Sequence, residues 1–185
     1  MMKRIALGVA LATLALATSG YMTFSSHRLT GGPYGRYYWL DGSVDSTLAT
    51  EVYDAKRSWG LATSKIALAE TSSEGASTFQ VFQSNTIYNA YGVCALTKWV
   101  DASGNVNSDP RQGDWSEVRI LVSPEAKNGI SQCPNSQGIV AHEFGHAFGL
   151  AHVDWPTGAL MRTDIHNLPF TVPKSDDING IDHLY

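Results

Sequence analysis

The sequence predicts an α+β domain, and three observations carry that expectation. A helical apolar stripe lies in the first third, short strand-like runs fill the middle, and two more helical segments close the chain. Arg36-Tyr37-Tyr38-Trp39-Leu40 reads as the first strand, ended by Asp41-Gly42. Asp45 then caps a helix in which Leu48, Val52, Ala55 and Trp59 keep helical spacing, and Gly60 closes it. Lys65–Ala69 and Thr78–Phe82 have strand character, separated by the turn-like Ser72-Ser73-Glu74-Gly75. Gly92–Val100 is a further strand candidate. After a polar loop over Asp101–Gly113, Val118, Ile120 and Val122 alternate as one face of another strand. Asn135 or Ser136 caps the next helix, where Val140, Phe144, Ala147, Phe148 and Ala151 form a buried stripe. The last helix is read in Ser175–Tyr185, with Ile178, Ile181 and Leu184 or Tyr185 on one side. Residues 21–34, polar and Gly/Pro-punctuated, read as an N-terminal arm.

No internal repeat or linker divides the chain, so its 185 residues are expected to hold one globular domain. A net charge of -4, with only 16% charged residues, argues against a nucleic-acid partner. The first twenty residues read as a secretory signal peptide. Lys3-Arg4 supplies a basic start, Ile5–Ala17 an uncharged apolar run, and Ala15-Leu16-Ala17 a small-x-small exit, with a cut two or three residues later nearly as good. The apolar run is too short for a comfortable membrane anchor. Removing residues 1–20 takes away Lys3 and Arg4 and no acid, which moves the net charge to -6 and leaves a mature domain at 21–185.

In an exported chain, Cys94 and Cys133 read as a disulfide; two buried free thiols are the alternative. Closing that loop would restrict the unfolded chain by roughly 4 kcal/mol in the entropy model. Two thiolates alone cannot complete a tetrahedral zinc shell.

The chemistry concentrates in His142-Glu143-Phe144-Gly145-His146-Ala147-Phe148-Gly149-Leu150-Ala151-His152, which fits H-E-x-x-H-x-x-G-x-x-H at every fixed position. His142 and His146, four apart on a helix, aim at one point. Gly149 lets the backbone leave the helix and return His152 as a third ligand. Three neutral imidazoles leave one position open on a zinc ion, and the absence of an acidic ligand disfavours magnesium or calcium. Glu143, offset by one residue, would accept a proton from the metal's water and pass it to a leaving amine. Chance would produce these fixed residues in about two of 100,000 chains of this composition.

In that motif the chain resembles the metzincin metallopeptidases. Leu160-Met161, nine residues beyond His152, looks like their Met-turn. Asp176-Asp177-Ile178-Asn179-Gly180-Ile181-Asp182-His183-Leu184-Tyr185 resembles the closing run of the matrixins. The resemblance implies a twisted, mostly parallel sheet with an active-site helix and a C-terminal helix. It also implies one catalytic zinc, a protein or peptide substrate, and a monomer without a membrane anchor once the leader is removed. One of Asp176 and Asp177 would brace the Met-turn and the other could meet a mature N-terminal ammonium; both also favour a helix start. A substrate would pair as an added strand along a cleft rim, with Gly92–Val100 preferred to Glu117–Val122. Residues Arg162–Ser175 would wall a specificity pocket, with Leu168 and Phe170 as liners.

The sequence also departs from the family. No cysteine precedes Cys94, so a cysteine-switch latency does not carry over, and no histidine lies between His27 and His142 to hold a second zinc. Lys174 stands where a serine usually starts the last helix, and the chain stops at Tyr185. A minimal, bacterial-type matrixin fits these departures.

Other features carry less. His27, His166 and His183 read as solvated polar residues. Oxygen-bearing side chains alternate from Asp101 to Asp109, yet Val106 and Gln112 stand where a calcium-binding helix–loop–helix needs glycine and glutamate, which leaves calcium unsupported. The five tryptophans read as core or cleft walls. The function expected is that of a secreted zinc endopeptidase. The alternative is a catalytically silent binding or toxin-like module of the same fold, in which nothing would require Glu143.

Overall fold

The computed structural model describes residues 20–127, 133–154, 158–164 and 169–185. The leader, apart from Gly20, lies outside the described residues, as do His166 and Leu168.

Strand β1 (Tyr34–Leu40) is followed by helix α1 (Ser46–Ala62), β2 (Ala67–Glu70), β3 (Phe79–Gln83), the short α2 (Ile87–Tyr91) and β4 (Ala95–Val100). Then come β5 (Val106–Ser108), β6 (Glu117–Val122), the single-turn α3 (Pro124–Lys127), α4 (Ser136–Ala147) and α5 (Ser175–Leu184). One sheet takes the order β2-β1-β3-β6-β4-β5. Pairings β1–β2, β1–β3 and β3–β6 are parallel, while β6–β4 and β4–β5 are antiparallel, so the α+β class and the mostly parallel sheet hold. Antiparallel β4 and β5 form one flank, as befits a hairpin joined by a short polar loop.

Asp45 caps α1 by accepting the amides of Thr47 and Leu48 at 3.0 and 3.1 Å. The helix runs two residues past the expected stop at Gly60, because its end is closed at Thr63, whose amide donates to Trp59 O. Leu48, Val52, Ala55 and Trp59 are all buried, as their spacing predicts. Trp59 meets Phe148 edge-on at 5.4 Å, and Phe79 meets Phe148 at 5.5 Å, so α1, α4 and β3 share one core. Aromatic pairs of this geometry add to the burial of their area.

The polar loop contains β5, whose middle residue Asn107 has φ 70, and α2 precedes β4, ended by Gly92 at φ 66. The strand predicted from Gly92 therefore starts at Ala95. Asp101 turns its carboxylate onto the amides of Ser103 and Asn105, and Asp109 pairs with Arg111. Both acids serve the loop itself. Cys94 and Cys133 form a disulfide with their Cα atoms 5.8 Å apart, which ties the start of β4 to the segment leading into α4. Among the described residues no helix is long and apolar enough to cross a membrane.

Candidate metal centre

Helix α4 is buried from Gly138 to Ala147. Asn135 caps it, accepting the Gly138 amide at 3.0 Å and donating from Nδ2 to Phe170 O at 2.9 Å. At the other end the chain leaves through a reversed turn: Gly149 N donates to His146 O and Leu150 N to Gly145 O. Gly149 has φ 109, a backbone state that L side chains avoid. This is the exit the glycine in the motif implied, and it returns the chain to His152.

The three imidazoles converge. His142 Nδ1 donates to Leu160 O at 2.9 Å and His146 Nδ1 to Leu150 O at 2.8 Å, since a carbonyl can only accept. Their Nε2 atoms therefore carry lone pairs when the rings are neutral. Each lies 3.0 Å from Nε2 of His152, a nitrogen with at most one proton to offer. A single cation satisfies all three lone pairs, and zinc–nitrogen bonds of about 2.0–2.1 Å suit such spacing. Burial also keeps the rings neutral: it holds His142 down to about 3, His146 well below the usual histidine range, and His152 lower than usual. Neutral imidazole is the form that binds metal. The donor set fits zinc, and among the described residues it is the cluster able to hold a metal ion.

Glu143 is buried beside these ligands, and burial pushes its carboxyl up to about 7 against the opposing pull of Thr97. Oε2 accepts a 2.6 Å hydrogen bond from the hydroxyl of Thr97 on β4. Thr97 carries no sequence signal; only the fold brings it to Glu143. Beneath the site lies Met161. A Cβ on Gly145 would come 2.2 Å from its sulfur, so the glycine inside the motif makes room for the methionine. Asp177 holds that turn, accepting the amides of Leu160 at 2.8 Å and Met161 at 3.1 Å, together with Lys174 N at 2.7 Å. The last bond caps α5, which explains how a lysine can stand there. Asp176 instead faces the backbone amides of Gly20 and Tyr21, and its buried Oδ2 has no hydrogen-bond partner among the described residues.

A cavity of about 360 Å³ opens over the site, walled by Ala95, Thr97 and Trp99 on one side and Thr163 on another. Of the two rim candidates, β6 is paired on both flanks, whereas β4 meets β5 only at Trp99 and Val100, so among the described residues Ala95–Lys98 keep an open edge. Phe170 is not among the described lining residues; its ring packs against the core beneath Lys174 Nζ. His27 bonds Asp114 at the surface, and the exposed His183 stacks near Tyr21.

A buried helix that converges two imidazoles on a third returned through a glycine turn, with a methionine turn below, defines a metzincin-type metallopeptidase fold. The matrixin family model matches residues 44–185, and the chain belongs to the matrixin family. Human matrix metalloproteinase-20 is 47% identical over 49 residues, covering 25% of this chain and 10% of that protein. The match thus spans about a tenth of the human relative's length. The family so matched is one of metallopeptidases.

Proposed function

We propose that the protein is a secreted endopeptidase in which His142, His146 and His152 hold one zinc ion and Glu143 is the general base. Bound by these three residues, a zinc ion would supply Lewis-acid chemistry, polarising a carbonyl and making a nearby water more acidic. The observation that carries the reading is the buried Glu143 carboxyl, one helix position from His142 and hydrogen-bonded to Thr97. Its raised affinity for a proton suits a group that accepts one from the attacking water and gives it to the departing amine. Thr97 orients the carboxylate while that proton moves. The open edge of β4 takes the substrate backbone as an added strand.

The basic, apolar and small-residue blocks of residues 1–20 and the Cys94–Cys133 bridge support export to an oxidising compartment. The Asp176 carboxyl beside Gly20, with no partner for Oδ2 among the described residues, supports a role in receiving the ammonium freed when the leader is removed. A catalytically silent module would have no need to desolvate a carboxyl at position 143.

The test is a cleavage profile of the secreted protein on a complex peptide mixture, alongside Glu143→Ala. Loss of the general base lowers turnover by about 100-fold or more with zinc still bound. Equal release of new peptide termini by the two proteins would overturn the peptidase reading, and so would cleavage that survives a chelator.

A further inference from the structure

Charge is unevenly spread over this acidic chain. With Lys3 and Arg4 set aside, 17 acids stand against eleven cations, yet five of those cations gather where β1 begins and α1 hands over to β2. Arg36, Lys56 and Arg57 line a cavity of about 450 Å³ together with Tyr37 and Leu61. One residue back along each chain segment, at Tyr34 and Lys65, begins a second cavity of about 330 Å³ that also takes in Arg28. The two adjoin as one groove. Among the described residues no carboxylate lies within ion-pair distance of Arg36, Lys56 or Arg57. Arg36 donates instead to the carbonyls of Gly32 at 3.0 Å and Thr30 at 2.9 Å, Lys56 donates to that of Leu68 at 3.4 Å, and Arg57 is exposed. Carbonyls satisfy these donors without cancelling their charge. A Cβ on Gly31 would come 2.3 Å from Arg36 Nη2, so the turn is shaped around that guanidinium. Farther along, Arg28 donates to Leu184 O and Lys65 to Tyr185 O at 2.9 Å. Flat apolar surface lies among the charges: Tyr34, Tyr37 and Tyr53 are 69%, 48% and 49% exposed, and Lys56 Nζ sits 4.7 Å from the centre of the Tyr53 ring.

We propose that this groove binds an acidic polysaccharide, whose carboxylate or sulfate groups meet Arg36, Lys56 and Arg57 while its sugar rings cover the tyrosines. A guanidinium fork matches such anions, and a charge-assisted bond is stronger than a neutral one. Covering the exposed rings with the apolar face of a sugar is favourable as well. The net negative charge repels polyanions at long range, so the attraction rests on this local fit. A groove suits a chain of rings better than the flat surface of a bilayer. In the sheet order β2-β1-β3-β6-β4-β5 the groove lies by the first two strands, whereas the cleft runs along β4 toward the other edge. A polymer held there leaves the cleft open, and its binding requires neither zinc nor turnover.

Binding of the full chain to dextran sulfate and to polygalacturonate, against uncharged dextran, tests this. One or both charged polymers are expected to bind, more weakly as salt rises, and the uncharged one is not. Which of the two binds distinguishes sulfate from carboxylate. Arg57→Gln and Tyr37→Ala are each expected to weaken binding by about 2- to 5-fold with Tm unchanged. Tyr34→Ala, at the most exposed of the three rings, takes the place of Tyr37→Ala if that variant melts early. Arg111→Gln removes the same charge from a different loop and is expected to leave binding as it was. Failure to bind either charged polymer overturns the proposal, as does binding indifferent to Arg57→Gln or weakened equally by Arg111→Gln. A loss with Arg57→Gln but none with the tyrosine variants also overturns it, because any polyanion without sugar rings would behave so. Equally tight binding to single-stranded DNA or to phosphatidylglycerol vesicles would make the face a general anion patch or a membrane contact, and sinks it too.

Discussion

Asp177 shows how much a single carboxylate organises below the site. Its two oxygens accept three backbone amides, from Leu160, Met161 and Lys174, inside a region closed to water. Burial raises its proton affinity while those bonds oppose the rise, so the bonds make the buried charge tolerable. Asp177→Ala leaves three amides without an acceptor and is expected to destabilise the fold by about 3 kcal/mol or more. Thermal unfolding checks this, and a loss below about 1 kcal/mol would show that the turn supports itself. The residues that announce themselves in sequence are those whose partners lie within one helix and its exit, namely His142, Glu143, His146 and His152. Thr97 is silent because its contact arises across the fold: 46 residues separate it from Glu143. The pair Asp176 and Asp177 was legible as a pair, but only the hydrogen bonds assign the brace to Asp177.

At the scale of elements, α4 is held by indoles from three separate parts of the chain. Trp59 of α1 donates to Ala141 O at 2.9 Å, Trp99 of β4 to His146 O at 3.2 Å, and Trp115 to Ala147 O at 3.2 Å. A helix buried on all sides cannot leave its last carbonyls to water, and Trp115 satisfies one of them. Trp115→Phe keeps most of the apolar bulk but strips the donor from a buried carbonyl. A destabilisation of about 1–3 kcal/mol is expected, read as a fall in Tm of a few degrees; an unchanged Tm would mean another donor takes its place. Reading these tryptophans as core found their burial but not their hydrogen bonds, because composition carries no direction for an N–H. The elements that periodicity missed, α2, α3 and β5, span three to five residues each, too short for a repeat to declare itself.

For the molecule as a whole, the class of fold was legible in sequence and the order of its strands was not. Nothing local to Phe79–Gln83 or Glu117–Val122 says that these two strands lie side by side in the middle of the sheet, and that placement decides which rim is open. The same global connectivity would couple folding to a metal held here, since His142 and His146 lie on α4 while His152 follows the return segment that pairs with the arm. Zinc at about 1,000 times its Kd is expected to stabilise the chain by roughly 4 kcal/mol, raising Tm by about 8–16 °C. Melting with zinc and with a chelator checks this, and a Tm indifferent to both would exclude zinc from this site. The two hydrogen bonds from β4 to α4, at Thr97 and Trp99, and the disulfide between the segments that lead into them have an evolutionary corollary. They make that side of the cleft a fixed jaw, welded to the helix that carries the histidines. Among the described residues the facing side, at Thr163, bonds Val153 and Asp154 and not α4. New substrate tastes can therefore arise there, one exchange at a time, while the metal stays where it is.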